Sequence, residues 1–184
     1  MRKASVVRLG LAAALFFAAT ARAQTHPILV GEPPTPGVYN PTIGLAGDAD
    51  ASDLEKNPAS LGFLPSWSGV YLHSELDPNG TVGGRGDGFF IASPIPYLSA
   101  LSVAAGVQLL RPPTSFPFPN EQKFSLGLGI RVIRGLAFGL TWAHLWADTG
   151  PVAAGLDTLD VAVSLRPTRW LAAALVVRDR KSVV

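Results

Sequence analysis

The stretch Phe124-Ser125-Leu126-Gly127-Leu128-Gly129-Ile130-Arg131-Val132 decides the fold of this 184-residue chain, because large apolar residues occupy every second position in it. Successive side chains of a β-strand point to opposite faces of the sheet, so a period of two indicates a strand with one large apolar face. The positions between carry serine, glycine and arginine. The stretch therefore predicts a strand whose two faces meet different surroundings.

The same alternation recurs on both sides of this stretch. It is clear in segments 101–109, 136–143 and 158–166, and weaker in segments 66–74, 88–93 and 170–178. Together these segments predict about seven strands. Their links alternate in length, with short ones at 94–97, 133–135 and 167–169 and long ones at 75–87, 110–122 and 147–156. Alternating short turns and long loops are typical of a membrane-spanning antiparallel barrel.

A soluble β-sandwich is the competing architecture, since its strands also alternate. Its solvent face normally carries charge, whereas here the second face is mostly Gly, Ala, Ser and Thr. Aromatic residues lie near the strand ends, where a membrane-interface belt requires them: Trp67, Tyr71, Tyr97, Trp142, Trp146 and Trp170. We therefore expect an all-β fold, an antiparallel meander that is the incomplete N-terminal part of a transmembrane β-barrel. Bacterial barrels close with an even number of strands, at least eight, so further strands are expected.

The N-terminus has the three parts of a secretory signal peptide. Arg2, Lys3 and Arg8 form a charged start, segment 9–19 is uninterruptedly apolar, and Ala21-Arg22-Ala23 is a small-x-small cleavage site. The apolar run is about half of the ~20 residues that a membrane-spanning helix needs. We therefore predict that residues 1–23 are removed on export and that the protein resides in the outer membrane of a Gram-negative bacterium.

Charge and cysteine content exclude several functional classes. Of the 15 Lys and Arg, four lie in the predicted leader, which leaves 11 basic residues against 13 acidic ones. The basic character therefore belongs to the leader and does not predict nucleic-acid binding. The chain has no cysteine, so it has neither a disulfide framework nor a thiolate metal site.

The last six residues, Asp179-Arg180-Lys181-Ser182-Val183-Val184, can be encoded by codons that resemble a common sequencing-adapter oligonucleotide. We interpret them as an artefact of that kind and expect the natural protein to continue; the alternative is a genuine short basic C-terminus. The predicted organisation is a signal peptide at 1–23, a Pro-rich lead-in with a short helix at 24–65, barrel strands at 66–178 and the artefact at 179–184. Within the lead-in, segment 48–56 is expected to form the helix and Asn57-Pro58 to end it.

A motif just before the first strand resembles a known family. The motif consists of Gly44-Leu45-Ala46-Gly47, an Asp/Ala-rich segment and Asn57-Pro58-Ala59-Ser60-Leu61-Gly62. Together these parts resemble the start of outer-membrane barrels of the long-chain fatty-acid and aromatic-hydrocarbon transporter superfamily. The resemblance implies that segment 48–61, with the turn Asn57, Pro58 and Ala59, occupies the position of a plug. It also implies passive transport of small hydrophobic molecules. No transporter-specific binding residue can be matched.

A second resemblance leads to a different function. Several short segments resemble N-terminal barrel-like regions of some large bacterial signal peptide peptidases, the protease IV relatives of myxobacteria-like organisms. Two of these segments are Gly106-Val107-Gln108-Leu109-Leu110-Arg111-Pro112 and Leu165-Arg166-Pro167-Thr168-Arg169-Trp170-Leu171. In that family the Ser–Lys catalytic pair lies in later domains. The two interpretations predict different sequence beyond residue 178, either further alternating strands or α/β domains with that pair. A third alternative is a barrel that only supports a secretion or surface-assembly partner.

The chain itself shows no motif for catalysis, cofactor binding or metal binding, so its status as an enzyme stays open. The charged residues on the small-residue faces are the candidates for a site: Lys123, Arg131, Asp160 and Arg166. In a barrel they would face the lumen, with Arg131 and Asp160 as one expected contact. The expected partners are outer-membrane lipid, a hydrophobic small molecule and the barrel-assembly machinery, without nucleic acid.

Overall fold

Seven antiparallel strands form one sheet in chain order in the computed structural model of the protein, which describes residues 37–40, 45–75, 85–111, 120–147, 155–168 and 170–178. The strands are β1 (Ser68–Ser74), β2 (Arg85–Ile95), β3 (Leu98–Arg111), β4 (Glu121–Ile133), β5 (Leu136–Ala147), β6 (Leu156–Thr168) and β7 (Leu171–Arg178). Each strand pairs with its neighbours in sequence, and the sheet curves into a half-barrel. The predicted antiparallel meander is confirmed. The predictions for 1–23 and 179–184 lie outside the described residues.

Short connections join neighbouring strands at one end of the sheet, and the strand ends that border the long links lie at the opposite end. Residues 96–97 separate β2 from β3 and residues 134–135 separate β4 from β5. Tyr97 adopts a positive φ of 67°, the left-handed conformation that such a turn needs and that a non-glycine residue rarely takes. We call the two ends of the sheet the short-turn end and the long-loop end.

Two short helices precede the sheet. The helix α1 (Asp53–Lys56) is followed by the 3-10 helix η1 (Pro58–Phe63), with Asn57 between them. The helix predicted over 48–56 is therefore shorter than expected. Its first part is a turn, because the Asp50 carboxylate accepts hydrogen bonds from the Ser52 amide at 2.7 Å and the Ser52 hydroxyl at 2.6 Å. No helix among the described residues is long and apolar enough to cross a membrane.

The sheet has an inverted distribution of side chains. The face that we call outer carries the large apolar residues, and most of them are exposed. Examples on β4–β6 are Leu126, Ile130, Phe138, Leu140, Trp142, Leu159, Val161 and Leu165. The inner face carries small and polar residues, and these are buried: Ser102, Ala104, Gln108, Lys123, Ser125, Ala137, Thr141, Ala143, Thr158, Asp160, Ala162 and Ser164.

Residues 51–64, which we call the plug, cover this inner face. The helix η1 packs mainly on β4 and β5, with smaller contacts to β6 and β3. Leu54 and Leu61 are fully buried between the plug and the sheet and join a core that includes Phe90 and Ala104. The main apolar core of the described residues therefore lies between the plug and the strands, on the concave side of a single sheet.

Candidate functional site: the plug on the inner face

Glycines on the inner face give the plug its seat. Gly129 and Gly139 are cross-strand partners on β4 and β5. A Cβ atom added to Gly139 would lie 2.1 Å from the backbone of Pro58 and Ala59, and one on Gly129 would lie 2.5 Å from the Gly62 amide nitrogen. Glycine leaves both positions without a side chain, so the backbone of η1 packs directly against the backbone of the sheet.

Asn57 joins the plug to β6 as well as ordering its own turn. Its side-chain oxygen accepts a hydrogen bond from the Ala59 amide at 3.2 Å, which caps η1. Its side-chain nitrogen donates to the Ser164 hydroxyl at 2.7 Å and to the Leu45 carbonyl oxygen at 2.5 Å. The residue is fully buried, so these bonds replace the water that its amide would otherwise need. Pro58 follows at the first position of η1, where its missing N–H costs nothing.

A buried ion pair connects α1 with β4. The Lys123 ammonium donates a hydrogen bond to one oxygen of Glu55, and the Ser125 hydroxyl donates to the other at 2.6 Å. The Lys123 side chain is only 2% exposed. Burial disfavours the charge on Glu55, but the Lys123 ammonium and these hydrogen bonds outweigh that effect, so the pKa of Glu55 lies below its usual value.

A second polar contact joins α1 to β5. The Thr141 hydroxyl donates a hydrogen bond to the Leu54 carbonyl oxygen at 2.9 Å. That carbonyl lies near the C-terminal end of a four-residue helix, where carbonyl groups lack an intrahelical partner. Inner-face side chains therefore satisfy plug groups that would otherwise be buried without hydrogen bonds.

Asp160 on β6 pairs with β7 and not with Arg131. Its carboxylate lies 3.5 Å from the Arg178 guanidinium nitrogen, and Arg178 donates a further bond to the Lys56 carbonyl oxygen of the plug at 3.2 Å. Arg131 instead donates to the Ser99 carbonyl oxygen at 3.0 Å. The expected contact between Arg131 and Asp160 does not form, because Asp160 is in register with Thr141 and thereby with Gly127, four residues away from Arg131 along β4.

Arg166 holds the other end of the plug. Its guanidinium donates to the Gly47 carbonyl oxygen and lies 3.5 Å from the Ser60 hydroxyl. The same group stacks on the Phe63 ring, 4.5 Å from its centroid, in a cation–π contact. Lys123 and Arg166 thus contact the plug directly, and Asp160 is linked to it through Arg178. Arg131 lies at the short-turn end of β4.

A second, smaller apolar cluster lies on the inner face towards the long-loop end. Val38, Leu110 and Leu145 are buried together, and Leu72 and Leu156 pack against them. The Gln108 side-chain oxygen accepts a hydrogen bond from the Val38 amide at 2.7 Å, which ties this part of the lead-in to β3. Residues before the plug therefore also contact the inner face.

Several residues of this arrangement were not predicted as site residues. Glu55, Thr141, Ser164 and Arg178 all bond across the plug boundary. The only signal in the sequence was their placement, a glutamate in the predicted helix and polar residues on the small faces of strands. Among the described residues, no group of three or more His, Asp or Glu side chains is placed to hold a metal ion.

Comparisons of the chain with protein-family models, with curated proteins and with solved structures give no match. The functional argument therefore depends on the geometry of the sheet and plug.

Proposed function

We propose that this chain is part of an outer-membrane β-barrel protein that passively transports small hydrophobic molecules. The observation that carries the proposal is the inverted burial of the sheet, with large apolar side chains exposed and small or polar ones buried. In water an exposed apolar surface that extends over most of a sheet is costly, whereas contact with lipid acyl chains requires it.

The height of the apolar surface supports a membrane location. On β3 the apolar outer positions run from Leu101 to Leu109, a span of about 20 Å along a barrel axis at ~3.3 Å per residue and a tilt of ~40°. Lipid-facing bands of outer-membrane barrels are about 25 Å high. Trp67, Tyr97 and Trp170 are strongly exposed at the short-turn end, and Tyr71 and the half-buried Trp146 lie towards the long-loop end. These two levels correspond to the aromatic belts at the two interfaces of a bilayer.

The transport part of the proposal draws on the resemblance of the plug motif and on the interior. The half-barrel interior has buried polar contacts and an apolar core at the plug, and a separate apolar cluster of Val38, Leu110 and Leu145 towards the long-loop end. A hydrophobic molecule that entered from the long-loop end would meet that cluster first. The proposed partners are outer-membrane lipid, the transported molecule and the barrel-assembly machinery that inserts such proteins.

Cell fractionation combined with an uptake assay tests the proposal on the full-length protein. We expect it in the outer-membrane fraction, with a gel mobility that changes on heating, and we expect deletion of the gene to slow uptake of a radiolabelled small aromatic hydrocarbon. Uptake of a small hydrophilic sugar is the control and should not change. A soluble periplasmic product would overturn the membrane location. Outer-membrane residence with unchanged hydrocarbon uptake would overturn transport and favour a purely structural barrel.

A further inference from the structure

The outer face of β1–β3 contains a shallow apolar depression of about 500 Å³. It lies over two cross-strand rows, Gly69–Ile91–Ala105 and Tyr71–Phe89–Val107. The small residues in the first row leave the depression open, and the Tyr71 and Phe89 rings, 4.7 Å apart, form one wall. The depression is thus shallow, open and mostly apolar, which suits an acyl chain lying against the sheet.

Polar residues follow along the same strands, directly on β1 and β2 and after Leu109 on β3. The next outer position after Tyr71 and Phe89 is the cross-strand pair His73–Asp87. The Tyr71 hydroxyl donates to the Asp87 carboxylate at 2.8 Å, so the aromatic wall is tied to the polar end. The apolar surface therefore changes to a polar one at the long-loop end of the sheet, at the next outer position on β1 and β2 and at Arg111 on β3.

Two arginines stand side by side at this polar end. Arg85 and Arg111 are direct cross-strand partners on β2 and β3. Arg111 is neutralised by Glu75 at 3.1 Å and Asp87 at 3.3 Å. Arg85 makes no hydrogen bond or ion pair with any described residue, and its buried Nε atom has no partner. Like charges directly opposite each other destabilise a sheet, so an anion bound at Arg85 would stabilise this pair.

We propose that this surface binds one anionic, phosphate-bearing membrane lipid, with an acyl chain in the depression and the phosphate at Arg85. The inference rests on the membrane location proposed above. Six residue steps separate Ile91 from Arg85, about 15 Å along the barrel axis at ~3.3 Å per residue and a tilt of ~40°. That distance places the arginines at the level of head groups and the depression at the level of acyl chains. A guanidinium also matches phosphate geometry, because it donates two parallel hydrogen bonds.

Lipid retention in neutral detergent tests this site on the whole protein purified from membranes. The micelles contain equal amounts of phosphatidylglycerol and phosphatidylcholine, and native mass spectrometry counts the lipid that stays bound. We expect about a tenfold preference for phosphatidylglycerol. Arg85→Gln should reduce the preference to about twofold or less, whereas Arg85→Lys should keep part of it because the charge remains.

Two further variants separate the head-group and chain contributions. Arg134→Gln removes an exposed arginine from the turn at the opposite end of the sheet and should leave the preference unchanged. Gly69→Leu should fill the depression and lower retention of both lipids; an added Cβ there meets only the Trp67 ring at 3.5 Å, so the fold tolerates it. Excess inorganic phosphate should not displace the bound lipid.

The outcomes distinguish this inference from the proposed function. A protein that fractionates with the membrane but retains both lipids equally, or loses its preference equally in Arg85→Gln and Arg134→Gln, overturns the lipid site alone. Displacement by inorganic phosphate also overturns it, because the site would then bind an anion without its chain. A protein that does not fractionate with the membrane overturns the proposed function and the lipid site together.

Discussion

Lys123 carries an ammonium group in one of the least exposed positions of the inner face, and Glu55 compensates its charge. Lys123→Met leaves the Glu55 carboxylate without its counter-ion, and removal of one partner from a buried ion pair costs about 3–5 kcal/mol. We expect a loss of that size in the free energy of unfolding. The double variant Lys123→Met/Glu55→Gln should regain much of it, since no buried charge remains. Denaturant unfolding of the wild type, both single variants and the double variant measures the coupling free energy between Lys123 and Glu55. An equal loss of unfolding free energy in Lys123→Met and in the double variant would contradict this prediction.

Asp53 predicts a pH dependence of the plug. Burial raises the pKa of its carboxyl from 3.8 to about 7, against the hydrogen bond that one of its oxygens accepts from the Asp50 amide. Between about pH 4 and pH 7 the folded protein holds this proton and the unfolded chain has released it. Stability from this group therefore falls as pH rises through that window, by at most about 4 kcal/mol, and stays constant above it.

The variant Asp53→Asn isolates this effect because its amide stays neutral at every pH. We expect the wild type to unfold at lower denaturant concentration at about pH 8 than at about pH 5, and the Asp53→Asn protein to show a much smaller difference. Asp48→Asn, which changes an exposed carboxyl five residues earlier, is the matched control and should keep the wild-type profile. Identical profiles for all three proteins would show that Asp53 does not titrate in this range.

Polar residues of the site could be placed on a face by the sequence, but their partners could not be predicted. Strand alternation puts Lys123, Arg131 and Asp160 on the small-residue face. The pairing of these residues depends on the register between strands, and one sequence does not determine the register when turn lengths are uncertain by a residue or two. The contact of Lys123 with Glu55 also required the position of α1 on the sheet, for which no local pattern exists.

At the scale of elements, the glycines of β4 and β5 determine where the plug lies. Gly139→Val places a side chain where the backbone of Pro58 and Ala59 now lies, so the plug must move away from the sheet. The native chain has no cysteine, so a single Ala59→Cys substitution reports on this movement without background. Ala59 is fully buried, and we expect slow thiol labelling in Ala59→Cys and labelling at least tenfold faster once Gly139→Val is added.

Gly69→Val is the matched control, because Gly69 lies on the exposed side of β1, where an added Cβ meets only the Trp67 ring. It should leave the labelling rate of Ala59→Cys unchanged. If Gly139→Val also leaves that rate unchanged, the plug does not depend on its contact with β5.

The strands were predictable and the helices only in part, for a physical reason. A period of two in large residues follows directly from strand geometry, and even the weak pattern of 170–178 became β7 (Leu171–Arg178). Strands β2 to β6 extend further towards the long loops than predicted, whereas β1 ends at Ser74 as predicted. Strand β5 reaches Ala147 because inner Leu145 and Ala147 are buried like the residues before them. The segment 48–56 is too short to hold a full helix without tertiary contacts, so side-chain bonds at Asp50 determined where the helix begins.

At the scale of the whole molecule, the side chains on both faces of the sheet support the proposed membrane location. The inner face satisfies many of its polar groups through the plug, with bonds from β4, β5, β6 and β7. In the described part of the chain, most large apolar side chains of the outer face are exposed. A chain folding in water would bury the larger apolar face first, because burial of apolar area is the dominant favourable contribution to folding. The inverted arrangement supports the proposed membrane location, where the outer face would meet a solvent that is itself apolar.

A charged residue placed at two depths on the outer face tests this conclusion. Leu140 lies in the middle of β5 and Leu171 at the short-turn end of β7, and both are exposed. In water an arginine at either exposed site would change stability little. In a bilayer Leu140→Arg should cost about 2–4 kcal/mol and Leu171→Arg about 0–1 kcal/mol, because the penalty falls from the midplane to the interface. Reversible unfolding of both variants from lipid vesicles measures the difference. Equal, small effects would mean that the outer face does not contact hydrocarbon.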